Sequence, residues 1–177
     1  MAYLITCSGS KTKPVLDNPN NLENLSNNNE LFDARLNLIK LTEIELDWSK
    51  TLPAWQLYST NRSIIYRQVL QNNWLKPQTD IKILSALFGW IKFDDLIPYY
   101  DLAINKRKNG IMPYLFWRES QLLENLILEN DIDLLSNTYR KAINYEGNTL
   151  ANYPVLTWQD NRGHHKGRWL NEQLNLL

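Results

Sequence analysis

Short apolar runs, separated by polar stretches with helical spacing, set the rhythm of this chain. Ala2 to Thr6 is an almost wholly apolar run, the pattern of a strand buried on both faces. Ile81 to Ala86 repeats it, and Ile132 to Leu135 and Tyr153 to Trp158 read as further short strands. Helical spacing falls between them. Leu31, Leu36, Ile39 and Leu41 suggest one helix, and Ile64, Ile65, Val69 and Leu70 a second over Ser63 to Trp74, with Ser63 as its N-cap. Phe116 to Asn130 carries the clearest amphipathic face, with Leu122, Leu123, Leu126 and Ile127 on one side. Ser136 caps a helix running through Ile143, and a last helix ends at Leu177.

Breaks punctuate this order. Asp17 to Glu30 is polar, rich in Asn and without period, which predicts a surface loop. Thr51 to Trp55 interrupts the chain, and Lys76 to Asp80 is a turn. Gly89 ends the second strand region, and an aromatic-rich loop begins at Asp94 and Asp95 with Pro98. Strands alternating with helices predict an α/β fold: one compact domain over residues 1–177, with a mainly parallel or mixed sheet flanked by helices.

Composition narrows the function classes. The 177 residues are 44% hydrophobic and 21% charged, ordinary for a globular chain that buries a real core. Lysine plus arginine number 19 and aspartate plus glutamate also 19, so the formal net charge is zero. A neutral chain argues against strong unspecific nucleic-acid binding, which needs several neutralised phosphates. A local basic patch is still compatible with it. One cysteine excludes an internal disulfide, and two adjacent histidines offer no zinc spacing, so no metal site is expected. The N-terminal residues lack the pattern of a signal peptide, and no run approaches the length of a membrane helix, which makes the cytoplasm the expected location.

Three segments carry candidate chemistry. Cys7-Ser8-Gly9-Ser10-Lys11 follows a strand directly and combines a glycine, two hydroxyls and a cation. Successive backbone N–H groups in such a turn cradle anions, although the spacing is not that of a Walker loop. Lys11 either grips the anion or acts as nucleophile or base, whereas Cys7 suits a small buried residue better than a nucleophile. Phe88 to Asp101 pairs Gly89 with Tyr99, Tyr100 and three acids, Asp94, Asp95 and Asp101. Asp160 to Trp169 is the densest basic cluster, with Arg162, Lys166 and Arg168 interleaved with Gly163 and Gly167 where a helix begins. That suits phosphate. The plain alternative is a solvated turn for the first and third segments, and an ordinary aromatic loop capped by acidic residues for the second.

Taken in order, these residues resemble the YaaA family of peroxide-stress proteins. The resemblance begins at Ser8-Gly9-Ser10-Lys11-Thr12 and continues through Leu57-Tyr58-Ser59. It is strongest at Leu84-Ser85-Ala86-Leu87-Phe88-Gly89, with Asp95-Leu96 and Tyr100-Asp101-Leu102 after it. Tyr114 to Trp117, the Leu135 to Ala142 region and the segment from Arg162 to Arg168 complete it. Family members are longer, and this chain is reduced near the Asn-rich tract and before Tyr153. The turn at Cys7 is also similar to the cysteine-serine-lysine turn of archaeosine synthase, which modifies a deazaguanine base in tRNA; that likeness is local.

The YaaA resemblance implies a mixed α/β fold, a cytoplasmic location, a role in limiting oxidative damage, and DNA binding. Together with the residues it predicts one cleft that binds a nucleic-acid or nucleotide-like anion. Lys11 and Asp101 are the candidate catalytic pair. Ser8, Ser10, Tyr58, Ser85, Gly89, Tyr100, Arg162, Lys166 and Arg168 are the candidate ligand-binding residues. A small-molecule enzyme using the same Lys11 site is the rival, and a non-catalytic binding module is the third reading. Partners are DNA or a nucleotide-like ligand, with no membrane. The lysine favours an enzyme, while the reaction, any cofactor, any role for iron and the oligomeric state stay open.

Overall fold

The N-terminal apolar run becomes β1 (Tyr3–Thr6), the inner strand about which the molecule is built. The structure is a computed structural model that describes residues 1–76, 78–144 and 162–177. Among the described residues, β1 lies between β3 (Ile81–Ser85) and β6 (Ile132–Asp133), parallel to both. Its register pairs Tyr3 with Ile81 and with Ile132. Buried on both sides, Leu4, Ile5, Ile83 and Leu84 explain why these runs are apolar without alternation. The backbone N–H of Ala2 donates to the Asp131 carboxylate at 2.8 Å, which anchors the start of β1. The sheet is mixed, in the order β4 (Gly89–Lys92), β3, β1, β6, and the fold class is α/β as expected.

The Leu84 to Trp90 run departs from its expected form. Instead of ending a strand region, Gly89 opens β4 (Gly89–Lys92), which folds back antiparallel on β3 with Ser85 opposite Gly89. Gly89 has φ +63°, a left-handed conformation that closes a hairpin loop of Ala86, Leu87 and Phe88. The Ser85 hydroxyl accepts from the N–H groups of Leu87 at 3.3 Å and Phe88 at 3.1 Å, holding the turn from inside. A smaller antiparallel pair joins β2 (Thr51–Pro53) to β5 (Leu96–Pro98), the latter inside the segment expected to be a loop.

Helices differ most from the periodic reading. Helix α1 (Asn28–Thr42) begins inside the Asn-rich tract, and its buried face is Leu31, Arg35, Leu38 and Thr42. Leu36 and Leu41 point to solvent. A short α2 (Ala54–Tyr58) follows β2. The expected helix over Ser63 to Trp74 is instead a 3₁₀ turn at Tyr66–Gln68 and a short α3 (Gln71–Trp74). The expected helix over Phe116 to Asn130 is α4 (Pro113–Ser120), stopped by Gln121 at φ 54° and followed by a 3₁₀ turn at Glu124–Leu126. Leu123 still reaches the core, but through a turn rather than a helix face.

Ser136 precedes α5 (Asn137–Ala142) without making a side-chain capping bond, and α6 (Gly163–Asn175) is the C-terminal helix. The strand expected over Tyr153 to Trp158 lies outside the described residues. No helix among the described residues is long and apolar enough to cross a membrane.

Candidate functional site

Beyond the carboxyl ends of β1 and β6 lies a cavity of about 410 Å³, at the sheet edge where α/β folds bind ligands. Its lining begins with the turn from Thr6 to Ser10. Cys7 N–H donates to Leu84 O at 3.1 Å, extending the β1–β3 pairing by one bond, and Thr12 N–H donates to Leu57 O at 2.8 Å where the chain returns. Between those bonds, the N–H groups of Ser8, Gly9, Ser10 and Lys11 donate to no acceptor among the described residues. Four successive unspent donors are what an anion needs.

A hydroxyl network fixes the turn. Ser8 Oγ lies 2.9 Å from Ser63 Oγ, Thr60 Oγ1 lies 2.9 Å from Ser63 Oγ, and Ser10 Oγ bonds Thr60 Oγ1. Ser63 Oγ in turn donates to Tyr58 O. The Thr60–Ser63 turn thereby presents Arg62 to the cavity, with Ile64, Ile65 and Tyr66 beside it. The sequence reading does not single out Thr60, Arg62 or Tyr66, and it takes Ser63, Ile64 and Ile65 only as positions of a helix. The signal was present in the hydroxyl-rich Thr60-Asn61-Arg62-Ser63 turn just after the Leu57-Tyr58-Ser59 segment.

The opposite wall is the first turn of α6. A Cβ on Gly163 would stand 2.7 Å from Ile64 Cγ2, and one on Gly167 would stand 2.7 Å from Ile65 O. These glycines are packing residues that let α6 close on the segment around Ile65. Between them Lys166 is buried and lines the cavity, and its Nζ donates to Leu135 O at 2.8 Å. Burial, followed by the nearby Arg140 cation, pushes the Lys166 amine down to about 8, and Asp133 opposes this. Asp133 is held by Arg140 Nε at 2.7 Å and by the Leu135 N–H at 2.7 Å.

A second cluster lies behind Cys7. Tyr58 and Tyr100 share a hydrogen bond of 2.7 Å, and the Ser85 hydroxyl is 3.3 Å from the first and 2.9 Å from the second. All three side chains are buried. Cys7 Sγ is 2.9 Å from Tyr139 OH. Lys11 is half-buried with its Nζ 4.4 Å from the centre of the Tyr100 ring, a cation–π contact. Burial lowers the Lys11 amine, and Cys7 and Asp101 oppose the shift. Asp101 is exposed and acts on Lys11 through its field, since the two make no ion pair among the described residues.

Ser8, Ser10 and Lys166 therefore meet at the cavity, while Tyr58, Ser85 and Tyr100 form a buried knot that Lys11 covers. Gly89 packs against the core, where a Cβ would meet Leu123 at 2.9 Å and Trp117 at 3.1 Å. Arg162 occupies the N-cap position of α6 and Arg168 lies further along it; both are exposed and do not line the cavity. No group of three His, Cys, Asp or Glu side chains able to hold a metal occurs among the described residues.

A protein-family model described as peroxide stress protein YaaA matches residues 8–167, from the serine turn to the second glycine of α6. No curated protein matches the chain.

Proposed function

The chain belongs to the YaaA family of peroxide-stress proteins, and from that premise we propose that its cavity binds a nucleic-acid or nucleotide-like anion as part of peroxide-stress defence in the cytoplasm. The observation that carries this reading is that the Ser8–Ser10 turn with its unspent amides, Arg62 and the Lys166 end of α6 line one cavity. The cavity volume lies within the roughly 300–1,000 Å³ of small-ligand sites, which favours one nucleotide unit over a duplex. Zero net charge favours the same choice. Exposed Arg162 at the N-cap of α6 and exposed Arg168 within it add positive charge on the helix that carries Lys166.

Binding is measured by calorimetry for a nucleoside monophosphate, a single strand and a duplex across a salt series, with wild type, Arg62→Ala and the Arg162→Ala/Lys166→Ala/Arg168→Ala triple variant. A tenfold or greater loss for Arg62→Ala, and a binding constant that falls with salt, are expected. Unchanged affinity in both variants would sink the reading.

The second reading, a small-molecule enzyme using Lys11, is favoured by that lysine's burial beside Cys7. Lys11→Arg keeps the charge and removes an amine able to act near neutral pH. Loss of complementation in a peroxide-sensitive strain, with ligand binding intact, supports the enzyme; full complementation supports a binding module.

A further inference from the structure

We propose that Tyr66, Trp74 and Trp55 form a column that passes an electron hole from the anion cavity to a second cavity open to solvent. The inference goes beyond the anion reading and does not depend on what the first cavity binds.

Three short elements place the rings. Tyr66 begins a 3₁₀ turn, Trp74 ends α3, and Trp55 lies in α2. Tyr66 and Trp74 stack with ring centres 5.6 Å apart and planes 12° apart. Trp74 and Trp55 continue the stack at 5.9 Å and 11°. Tyr66 lines the first cavity, whereas Trp74 and Trp55 line another of about 630 Å³. Exposed Leu75, Gln78 and Asp80 on that second lining open it to solvent. Oxidisable rings therefore join the two cavities.

Packing alone does not require this alignment, because aromatic pairs are equally well served by edge-on contact. Tyr3 with Trp169, Phe88 with Tyr100, and Phe116 with Trp117 meet edge-on. Trp48 with Phe88 and Tyr58 with Tyr66 are tilted. Near-parallel rings at this separation give the π overlap on which electron transfer between side chains depends. Among the described residues, Tyr66, Trp74 and Trp55 are the one such series made only of tyrosine and tryptophan, the rings that lose an electron most easily. Phe93 also stacks on Trp74, at 30°, but its ring is far harder to oxidise.

Hydrogen bonding and burial set the direction. The Tyr66 hydroxyl donates to Thr6 O at 2.9 Å, and a carbonyl oxygen does not take that proton away. Oxidised Tyr66 thus keeps its proton and stays a strong oxidant toward Trp74. Trp74 is 1% exposed and Trp55 is 9% exposed, so the hole reaches water at Trp55.

The oxidant is a radical of the class that peroxide yields, and in the first cavity it gains one electron from Tyr66. An electron from Trp74 refills Tyr66, and one from Trp55 refills Trp74. Trp55 then releases its indole N–H proton to solvent and becomes a neutral radical. A thiol in solution returns one hydrogen atom to it and becomes a thiyl radical. The net reaction is one-electron reduction of the oxidant by the thiol, with one proton released.

A ruthenium polypyridyl photosensitiser tests the column. It is attached at Ile64→Cys, on the largely exposed edge of the first cavity, in the full chain carrying Cys7→Ser so that the label has one site. Flash oxidation with a cobalt(III) quencher makes ruthenium(III) there, and transient absorption follows the radicals. Tryptophan radical is expected to grow as ruthenium(III) decays. Mass spectrometry should find oxidation at Trp55 at least fivefold above half-buried Trp48 and Trp169. Trp74→Phe keeps an aromatic ring but removes the relay, and should cut Trp55 oxidation at least fivefold and lengthen the life of ruthenium(III). Trp48→Phe should change neither. Circular dichroism checks that each variant folds. Trp55→Phe is the second test: it leaves the hole on buried Trp74, where added thiol should quench the radical at least fivefold more slowly. In folded protein, oxidation spread evenly over the tryptophans, Trp55 oxidation unmoved by Trp74→Phe, or thiol quenching unmoved by Trp55→Phe overturns the proposal.

Discussion

Gly167 sits so close to Ile65 that a Cβ added to it would stand 2.7 Å from the Ile65 carbonyl oxygen and 2.9 Å from Gln68 Cβ. That contact seats α6 against the cavity wall. Gly167→Ala sets a methyl against backbone, which cannot turn away, and should cost about 1–3 kcal/mol. Gly163→Ala should cost less, because its first obstacle is Ile64 Cγ2, on a side chain that is largely exposed. Thermal unfolding of the two variants checks the order, and a Gly167→Ala protein as stable as wild type would contradict it.

Ser85 is the knot of the hairpin. Its hydroxyl serves two turn N–H groups and two tyrosine hydroxyls, all buried. Ser85→Ala leaves those donors without this acceptor and should destabilise by about 1–3 kcal/mol. Ser85→Thr keeps the hydroxyl but adds a methyl in a packed site, so partial recovery is expected. Urea unfolding of both variants measures it.

Arg35 is fully buried and donates to Phe88 O at 2.8 Å, Trp90 O at 2.8 Å and Ser26 O at 2.7 Å. It ties α1 to the β3–β4 hairpin. Arg35→Met strands three carbonyls and should cost about 3 kcal/mol or more. Arg35→Lys should rescue little, since an ammonium does not reproduce the planar fork. Denaturant midpoints that barely move would show that the arginine is a passenger.

Alkaline pH should unfold this protein through its tyrosines. Burial raises Tyr58, Tyr66, Tyr100 and Tyr139 well above their ordinary value. Their contribution to stability is therefore full below pH about 10 and is lost as pH rises from there toward the folded-state values. Lys166 acts in the opposite sense. Its lowered value means that the unfolded chain holds the extra proton between pH about 8 and about 10.5, so stability gains from this group across that window. Urea midpoints against pH, with phenolate absorbance followed in parallel, test both. Early ionisation of all nine tyrosines in the folded protein would contradict the first.

Local patterning and composition account for part of this protein. The runs at Ala2 and Ile81 read as short buried strands, and the ordered segments from Ser8 to Gly167 carry the family. The Ser8–Lys11 turn was legible as a candidate anion loop because a glycine and two hydroxyls follow a strand. The remainder depends on how distant segments pack. Periodicity reports which residues are apolar but not which partner covers them, so the helix expected at Ser63 yields to the hydroxyl bonds of Ser63 and the approach of α6. The hairpin at Gly89 depends on a register against Ser85, and Arg35 is buried because three distant carbonyls require its donors. Lys166 reads in sequence as one cation of a basic run, yet the glycines on either side put it inside the cavity while Arg162 and Arg168 stay in water. Charge is a property of the residue; desolvation is a property of where the chain closes.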